Sequence, residues 1–204
     1  MSGDVDGGRG ASLSGSSSVA GPSDGTSRRS VALFQPVLAH YRVDLFNAWD
    51  DALDGGLTVF TVSAPGDSRL GGADELLTAG LRSARTFRIG PVWFVPGALV
   101  QVLAGRWDVV VLSWNSRQVE LLPALLLARV RRIPVVLWGH GMGRKGSRAG
   151  TWLRRVQARL ASTVLTYSDA GADEVRREVP GCRVEVLLNT TGRPPPEPGD
   201  EEVE

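Results

Sequence analysis

From residue 31 onward, short apolar runs alternate with stretches whose apolar positions recur at helical spacing, and Gly, Pro, Asn or Asp punctuates most junctions. The runs at 31–34, 57–62, 86–89, 108–113, 135–138, 163–167 and 184–188 predict strands. Those at 108–113 and 135–138 hold consecutive apolar side chains without alternation, the mark of a strand covered on both faces. Between them the spacing predicts helices over 41–53, with Val43, Phe46 and Trp49 on one side, and over 98–104. Three more follow: 117–130 with Leu121, Leu122, Leu125, Leu126 and Ala128 inward, 149–161, and 170–178. Residues 68–83 carry only a weak pattern and read as a short helix or a loop. Trp93 and Phe94, within 91–96, read as part of an apolar connection, either packed beneath a loop or exposed to touch an apolar ligand.

Strand and helix alternate six or seven times, which predicts an α/β fold: a single Rossmann-like, doubly wound, mainly parallel sheet with helices on both faces. Ligands of such sheets bind in a crevice outside the carboxyl ends of the strands. Polar residues gather at those ends here. His40 and Arg42 follow the first strand, Ser113 to Arg117 (Asn115 among them) the run at 108–113, Ser168 and Asp169 the run at 163–167, and Asn189 the last. The central strand breaks into a turn where Gly139, Gly141, Gly143 and Gly146 are threaded with His140, Arg144 and Lys145. Glycine lets a backbone approach a ligand closely, and the helix starting near Ser147 presents unpaired amides that attract anions. The turn reads as a binding loop.

Composition adjusts this picture in three ways. The 204 residues are 42% hydrophobic and 22% charged, enough for one core, and residues 1–30 and 193–204 predict disordered tails around a domain at 31–192. The formal net charge of +1 argues against a nucleic-acid partner. Yet Arg129, Arg131, Arg132, Arg144, Lys145, Arg148, Arg154, Arg155 and Arg159 fall within one span. On the 149–161 helix, Arg154, Arg155 and Arg159 are expected opposite Trp152, Leu153, Val156 and Leu160. That face suits an anionic lipid or a phosphate-bearing substrate, or else the solvated outside of a core-packed helix. Cys182 is the single cysteine and no Cys/His cluster has metal-ligand spacing. Without a secretory leader or an apolar run long enough to span a bilayer, the expectation is a cytoplasmic protein, soluble or peripheral on the inner membrane face.

The candidate chemistry narrows by elimination. Gly141-Met142-Gly143-Arg144-Lys145-Gly146 fits G-x-G-x-x-G, with Asp169 ending the next strand, which keeps an NAD-dependent redox reading open. That motif normally follows the first strand, and two cations would crowd its pyrophosphate turn. Lys145 lacks the flanking residues of a P-loop, and no G-x-S-x-G elbow exists. Two histidines with cations and hydroxyls remain. They suit binding of a hydroxylated or phosphorylated molecule and transfer onto it, with His140 or His40 accepting a proton.

Val31-Ala-Leu-Phe-Gln-Pro-Val-Leu-Ala-His-Tyr-Arg-Val-Asp-Leu-Phe-Asn47 resembles the opening of bacterial family 4 glycosyltransferases. The 108–113 strand, Trp138-Gly-His-Gly141, Tyr167-Ser168-Asp169 and Val186-Leu-Leu-Asn-Thr-Thr191 follow in the order of that family's first domain. The resemblance spans 31–193 and rests on order and spacing. It implies a GT-B fold, in which one Rossmann-like domain binds the acceptor and a second, facing it, holds a nucleotide-sugar. It implies that His140 lines the cleft near the transferred sugar, that His40 and Arg42 lie on the acceptor loop, and that Asn189 marks the crossing to the donor domain. Asn115, Gly139, Gly141, Arg144, Lys145, Ser168 and Asp169 would border the acceptor. No metal is implied, and no cofactor beyond the nucleotide-sugar that a donor domain would bring. Relatives with lipid-linked acceptors often dock on anionic membranes, which suits Arg144, Lys145 and the arginine-bearing helix. Because only a few residues follow Asn189, a separate donor-domain chain is the expected partner, a sugar or lipid-linked molecule the expected acceptor, and the isolated chain is expected to be inactive. A noncatalytic binding or scaffold module of the same fold is the alternative.

Overall fold

The computed structural model describes residues 29–36, 38–61, 77–83, 87–89, 92–94, 96–115, 118–143 and 147–188. In chain order the strands are β1 (Val31–Phe34), β2 (Leu57–Thr61), β3 (Gly80–Ser83), β4 (Phe87–Ile89), β5 (Val92–Phe94), β6 (Val109–Ser113), β7 (Val135–Gly139), β8 (Thr163–Thr166) and β9 (Val184–Val186). The helices are α1 (Val43–Ala52), α2 (Pro96–Ala104), α3 (Leu121–Val130), α4 (Arg148–Leu160) and α5 (Asp169–Glu178). Seven strands make one parallel sheet in the order β3-β2-β1-β6-β7-β8-β9. The chain reverses its direction of sheet growth between β1 and β6, the topological switch point of a Rossmann-like fold.

Each central strand feeds two cores. Val31 and Leu33 join Leu57, Val59, Val111 and Trp138 beneath Val43 and Phe46 of α1. Their neighbours Ala32 and Phe34 join Phe60, Val110, Leu112, Val135 and Leu137 against α2, α3, α4 and α5. Burial on both faces is why these runs show no polar alternation, and it confirms the expected α/β, doubly wound sheet with helices on both faces. Leu33, Val110 and Leu137 are wholly buried, each contributing about 1.5–3 kcal/mol by leaving water.

The structure departs from the sequence expectation in four places. Residues 80–83 are not helix or loop but β3, the edge strand paired with β2 (Thr58 opposite Gly80). An edge strand with Gly80, Arg82 and Ser83 exposed needs little apolar pattern, so its signal was weak. The run at 86–89, expected in the main sheet, is β4, which pairs antiparallel with β5, where an apolar connection was expected. Two apolar runs two residues apart have the spacing of a hairpin rather than of a crossover. Helix α3 starts at Leu121, not 117, and Leu126 is half exposed where it was expected inward. Its buried stripe is Leu121, Ala124, Leu125 and Ala128, the i, i+3, i+4, i+7 set.

The fourth departure is the facing of α4. Trp152, expected on the core side, is 62% exposed, while Gln157 and Ala158 are buried and Arg154 turns inward. A small alanine permits close approach to the sheet. The buried glutamine is satisfied because its Oε1 accepts from Trp114 Nε1 at 3.0 Å. On the flank, Arg155 Nε donates to Glu178 Oε2 at 3.0 Å and ties α4 to α5.

Serine caps start both C-terminal helices: Ser147 Oγ accepts from Gly150 N at 3.1 Å and Ser168 Oγ from Gly171 N at 3.2 Å. Ser147→Ala is expected to cost about 1 kcal/mol, seen as a lower urea midpoint at unchanged slope. An unmoved midpoint would mean that water replaces the cap fully. Ser30, assigned to the tail by composition, donates its amide to Asp108 Oδ2 at 2.8 Å; the rest of the expected tails, apart from residue 29, lies outside the described residues. No helix among the described residues is long and apolar enough to cross a membrane.

Candidate functional site

The carboxyl ends of β1, β6, β7 and β8 open into a cleft of about 540 Å³, within the range of small-molecule sites. It straddles the switch point, as doubly wound topology leads one to expect. Its lining comprises Gln35, Pro36, Ala39, Tyr41 and Arg42 from the β1 side, Ser113, Trp114 and Asn115 after β6, Trp138, Gly139, His140 and Gly143 from β7 and its turn, Arg154 from α4 and Tyr167 after β8.

Arg42 organises one wall. A 3-10 turn over His40–Arg42 folds the chain back above the sheet, and the guanidinium then reaches three strand ends at once. Its Nη1 donates to Gln35 Oε1 at 2.7 Å and its Nη2 to Tyr167 Oη at 3.0 Å, while its central carbon lies 4.8 Å from the centroid of the Trp138 ring. Trp138 is itself set in an aromatic cluster, 5.6 Å from Trp49, 5.6 Å from Tyr167 and 6.1 Å edge-on from Phe46. His140 is exposed, its ring 4.6 Å from that of Tyr167. Three buried donors of this wall, Arg42 Nε, Gln35 Nε2 and Trp138 Nε1, have no acceptor among the described residues.

Arg154 organises the facing wall. It donates to the carbonyl of Gly141, and its guanidinium stands 5.5 Å from the Trp114 ring. Burial lowers its pKa from the ordinary arginine value and the Glu174 carboxylate works in the opposite sense, but a guanidinium stays charged in either case. The lining therefore carries two guanidiniums and an imidazole, with no carboxylate among its described residues.

Burial also pushes the Tyr167 phenol upward, against the pull of Arg42. A folded-state pKa above the unfolded one means this group's contribution to stability is intact below the ordinary tyrosine value, about 10, and is lost as pH rises through the higher one. In an absorbance titration, the phenolate present in wild type and missing from Tyr167→Phe should appear above about pH 10. Its appearance at or below that pH would contradict the burial.

The residues singled out from sequence distribute unevenly. Arg42, Asn115, Gly139 and His140 line the cleft. His40 is exposed and does not line it, although Ala39 and Tyr41 on either side do. Ser168 serves as the α5 cap and Asp169 is exposed in the first turn of that helix, neither of them in the lining. Gly141 is buried with φ +87°, and a Cβ there would lie 3.1 Å from the Gly171 carbonyl oxygen. A Cβ at Gly139 would lie 2.9 Å from Trp114 Cβ. These two glycines thus admit neighbouring chain rather than ligand. Arg144, Lys145 and Asn189 lie outside the described residues. Sequence reasoning did not assign Gln35, Tyr41, Trp114, Trp138, Arg154 or Tyr167 to the site. Gln35, Trp114 and Tyr167 each stand immediately after a strand, which was the available signal.

No family model matches the chain, and no curated protein matches it in sequence. Solved structures do resemble it. Anabaena Alr3699/HepE in complex with UDP and glucose superposes with a TM-score of 0.54 at 14% identity, covering 79% of this chain and 44% of that one. The same protein in complex with UDP-glucose gives 0.53 at 15% identity, covering 78% and 43%. The likeness is one of fold, and this chain spans less than half the length of these two.

Proposed function

We propose that this chain is the acceptor-binding half of a glycosyltransferase of the family 4, GT-B type. The observation that carries the proposal is the cleft at the switch point, formed in a fold shared with part of a protein crystallised with UDP and glucose. An acceptor lies over Trp138 and Tyr167, between Arg42 and Arg154. The nucleotide-sugar is held by a second Rossmann-like domain facing the strand ends. The match to under half of the neighbour's length supports reading the chain as one domain of such a pair.

In the transfer step the acceptor hydroxyl oxygen bonds to the anomeric carbon, and the bond from that carbon to the nucleoside diphosphate breaks. The diphosphate leaves with the electron pair. The hydroxyl proton passes to His140, an exposed imidazole on the cleft wall. Stabilisation of the leaving diphosphate falls to the donor domain.

The test is to recover the tagged protein with its partners from its own cells and supply radiolabelled nucleotide-sugars. Label is expected to move to an acceptor. Saturable carbohydrate binding with no transfer in that assembly would make the chain a noncatalytic binding module instead.

A further inference from the structure

We infer that the outer face of α3 is an interface between two copies of this chain, paired antiparallel across a two-fold axis. Helix α3 reads Leu-Leu-Pro-Ala-Leu-Leu-Leu-Ala-Arg-Val, and its core stripe of Leu121, Ala124, Leu125 and Ala128 uses one side only. The opposite side is apolar as well. Val130 is 80% exposed, while Val119 in the turn before the helix, Leu126, and Val100 on the adjoining α2 are each about half exposed. Pro123 is exposed and Leu122 half-buried. Single apolar side chains on a surface are ordinary, but Leu122, Leu126 and Val130 recur at i, i+4 and i+8 and so form one continuous stripe. A helix apolar on every side is one that is covered on every side.

Three observations commit this face to a second copy. The first is its symmetry, since a two-fold interface presents the same patch twice and its residues must match in reverse order. About a point between Ala124 and Leu125 they do. Val119 falls opposite Val130, Leu122 opposite Leu127 and Pro123 opposite Leu126, and every pair is apolar. The second is charge. Arg129 lies on the α4 flank, lining a recess with Leu160 and Ser162, and Arg131 is drawn to the α2 flank by its 2.8 Å bond to the Val102 carbonyl. The stripe residues between these flanks are uncharged. Parallel pairing would set Arg129 beside its own copy, whereas antiparallel pairing moves the two roughly 13 Å apart at 1.5 Å per residue, beyond the screening length of about 8 Å. The third is the want of a cover from the same chain. Segments 1–28, 62–76 and 189–204, outside the described residues, hold no three large apolar residues at the spacing that would match the stripe.

Area sets the strength of the pairing. A standard interface buries about 800 Å² per partner. A helix of 10 residues is about 15 Å long, and one stripe of that length with Val100 beside it falls short of such an area. The dimer therefore belongs to the small, concentration-dependent class. None of the stripe residues lines the strand-end cleft, so the inference stands apart from what that cleft binds.

Sedimentation equilibrium of the full chain tests this. A monomer to dimer equilibrium is expected, with a dissociation constant between about 1 and 100 μM. Val119→Glu and Val130→Lys should each weaken it at least about tenfold, because each sets an unpaired charge against an apolar residue of the other copy. Both sites are exposed, so each variant should keep the wild-type circular dichroism spectrum and melting temperature. Mixed in equal amounts, the two variants should associate at least about fivefold more tightly than either does alone, since antiparallel register brings the introduced carboxylate against the introduced ammonium. Trp152→Lys, equally exposed but on α4, should dimerise as wild type. A chain that stays monomeric across that range would overturn the inference, and flotation of such a monomer with phosphatidylcholine and phosphatidylglycerol vesicles would assign the stripe to lipid. A dimer indifferent to both substitutions would place the interface elsewhere, and an open-ended series of oligomers would reveal a head-to-tail contact; either would overturn it. Weakening in the single variants without recovery in the mixture would overturn the antiparallel register.

Discussion

Trp138→Ala should lower the stability of the folded chain by about 3–5 kcal/mol, the cost of deleting a large aromatic side chain from a site that cannot collapse around the void. The ring is 2% exposed and wedged among Phe46, Trp49 and Tyr167. Its walls are a helix, a neighbouring strand end and the guanidinium of Arg42, each held by separate bonds. Trp138→Phe preserves most of the apolar area and should lose less than half as much. Urea unfolding followed by far-UV circular dichroism measures both. A loss under about 1 kcal/mol for the alanine variant would show that the cluster repacks and that Arg42 needs no platform there.

His140→Ala should cut sugar transfer by the assembled enzyme about 100-fold, the lower end of what a positioned acid–base group contributes. Its unfolding free energy should stay within about 0.5 kcal/mol of wild type, as for a surface side chain without buried partners. The ring is exposed and its recorded aromatic neighbour is Tyr167. An unchanged rate in His140→Ala would remove this residue from the chemistry and leave proton acceptance to another group.

The central strands were legible because burial on two faces leaves an unbroken apolar run, and Val109–Ser113 and Val135–Gly139 have one. The edge strand Gly80–Ser83 was not, since half of its environment is solvent and its identity comes from pairing with β2. The facing of α4 was hidden for a different reason. Hydrophobicity favoured the Trp152 side, but a small residue at Ala158 and a hydrogen bond from Trp114 to Gln157 favoured the other, and contact geometry prevailed. At the site, strand ends located the cleft to within a few residues. Which side chains of each turn enter it depended on local detail invisible in sequence. The 3-10 turn brings Tyr41 and Arg42 into the cleft lining but not His40, and a helix cap claims Ser168.

The tight seats of Gly139 and Gly141 bear on how this protein can be re-engineered. A diversified library aimed at new ligands should hold both positions fixed, together with Gly171, where an added carbon would sit 3.2 Å from the His140 carbonyl oxygen. Variation belongs at Tyr41, an exposed residue of the cleft lining. Any lineage descended from this chain should therefore change its taste at the rim while the glycine hinge-points stay as they are.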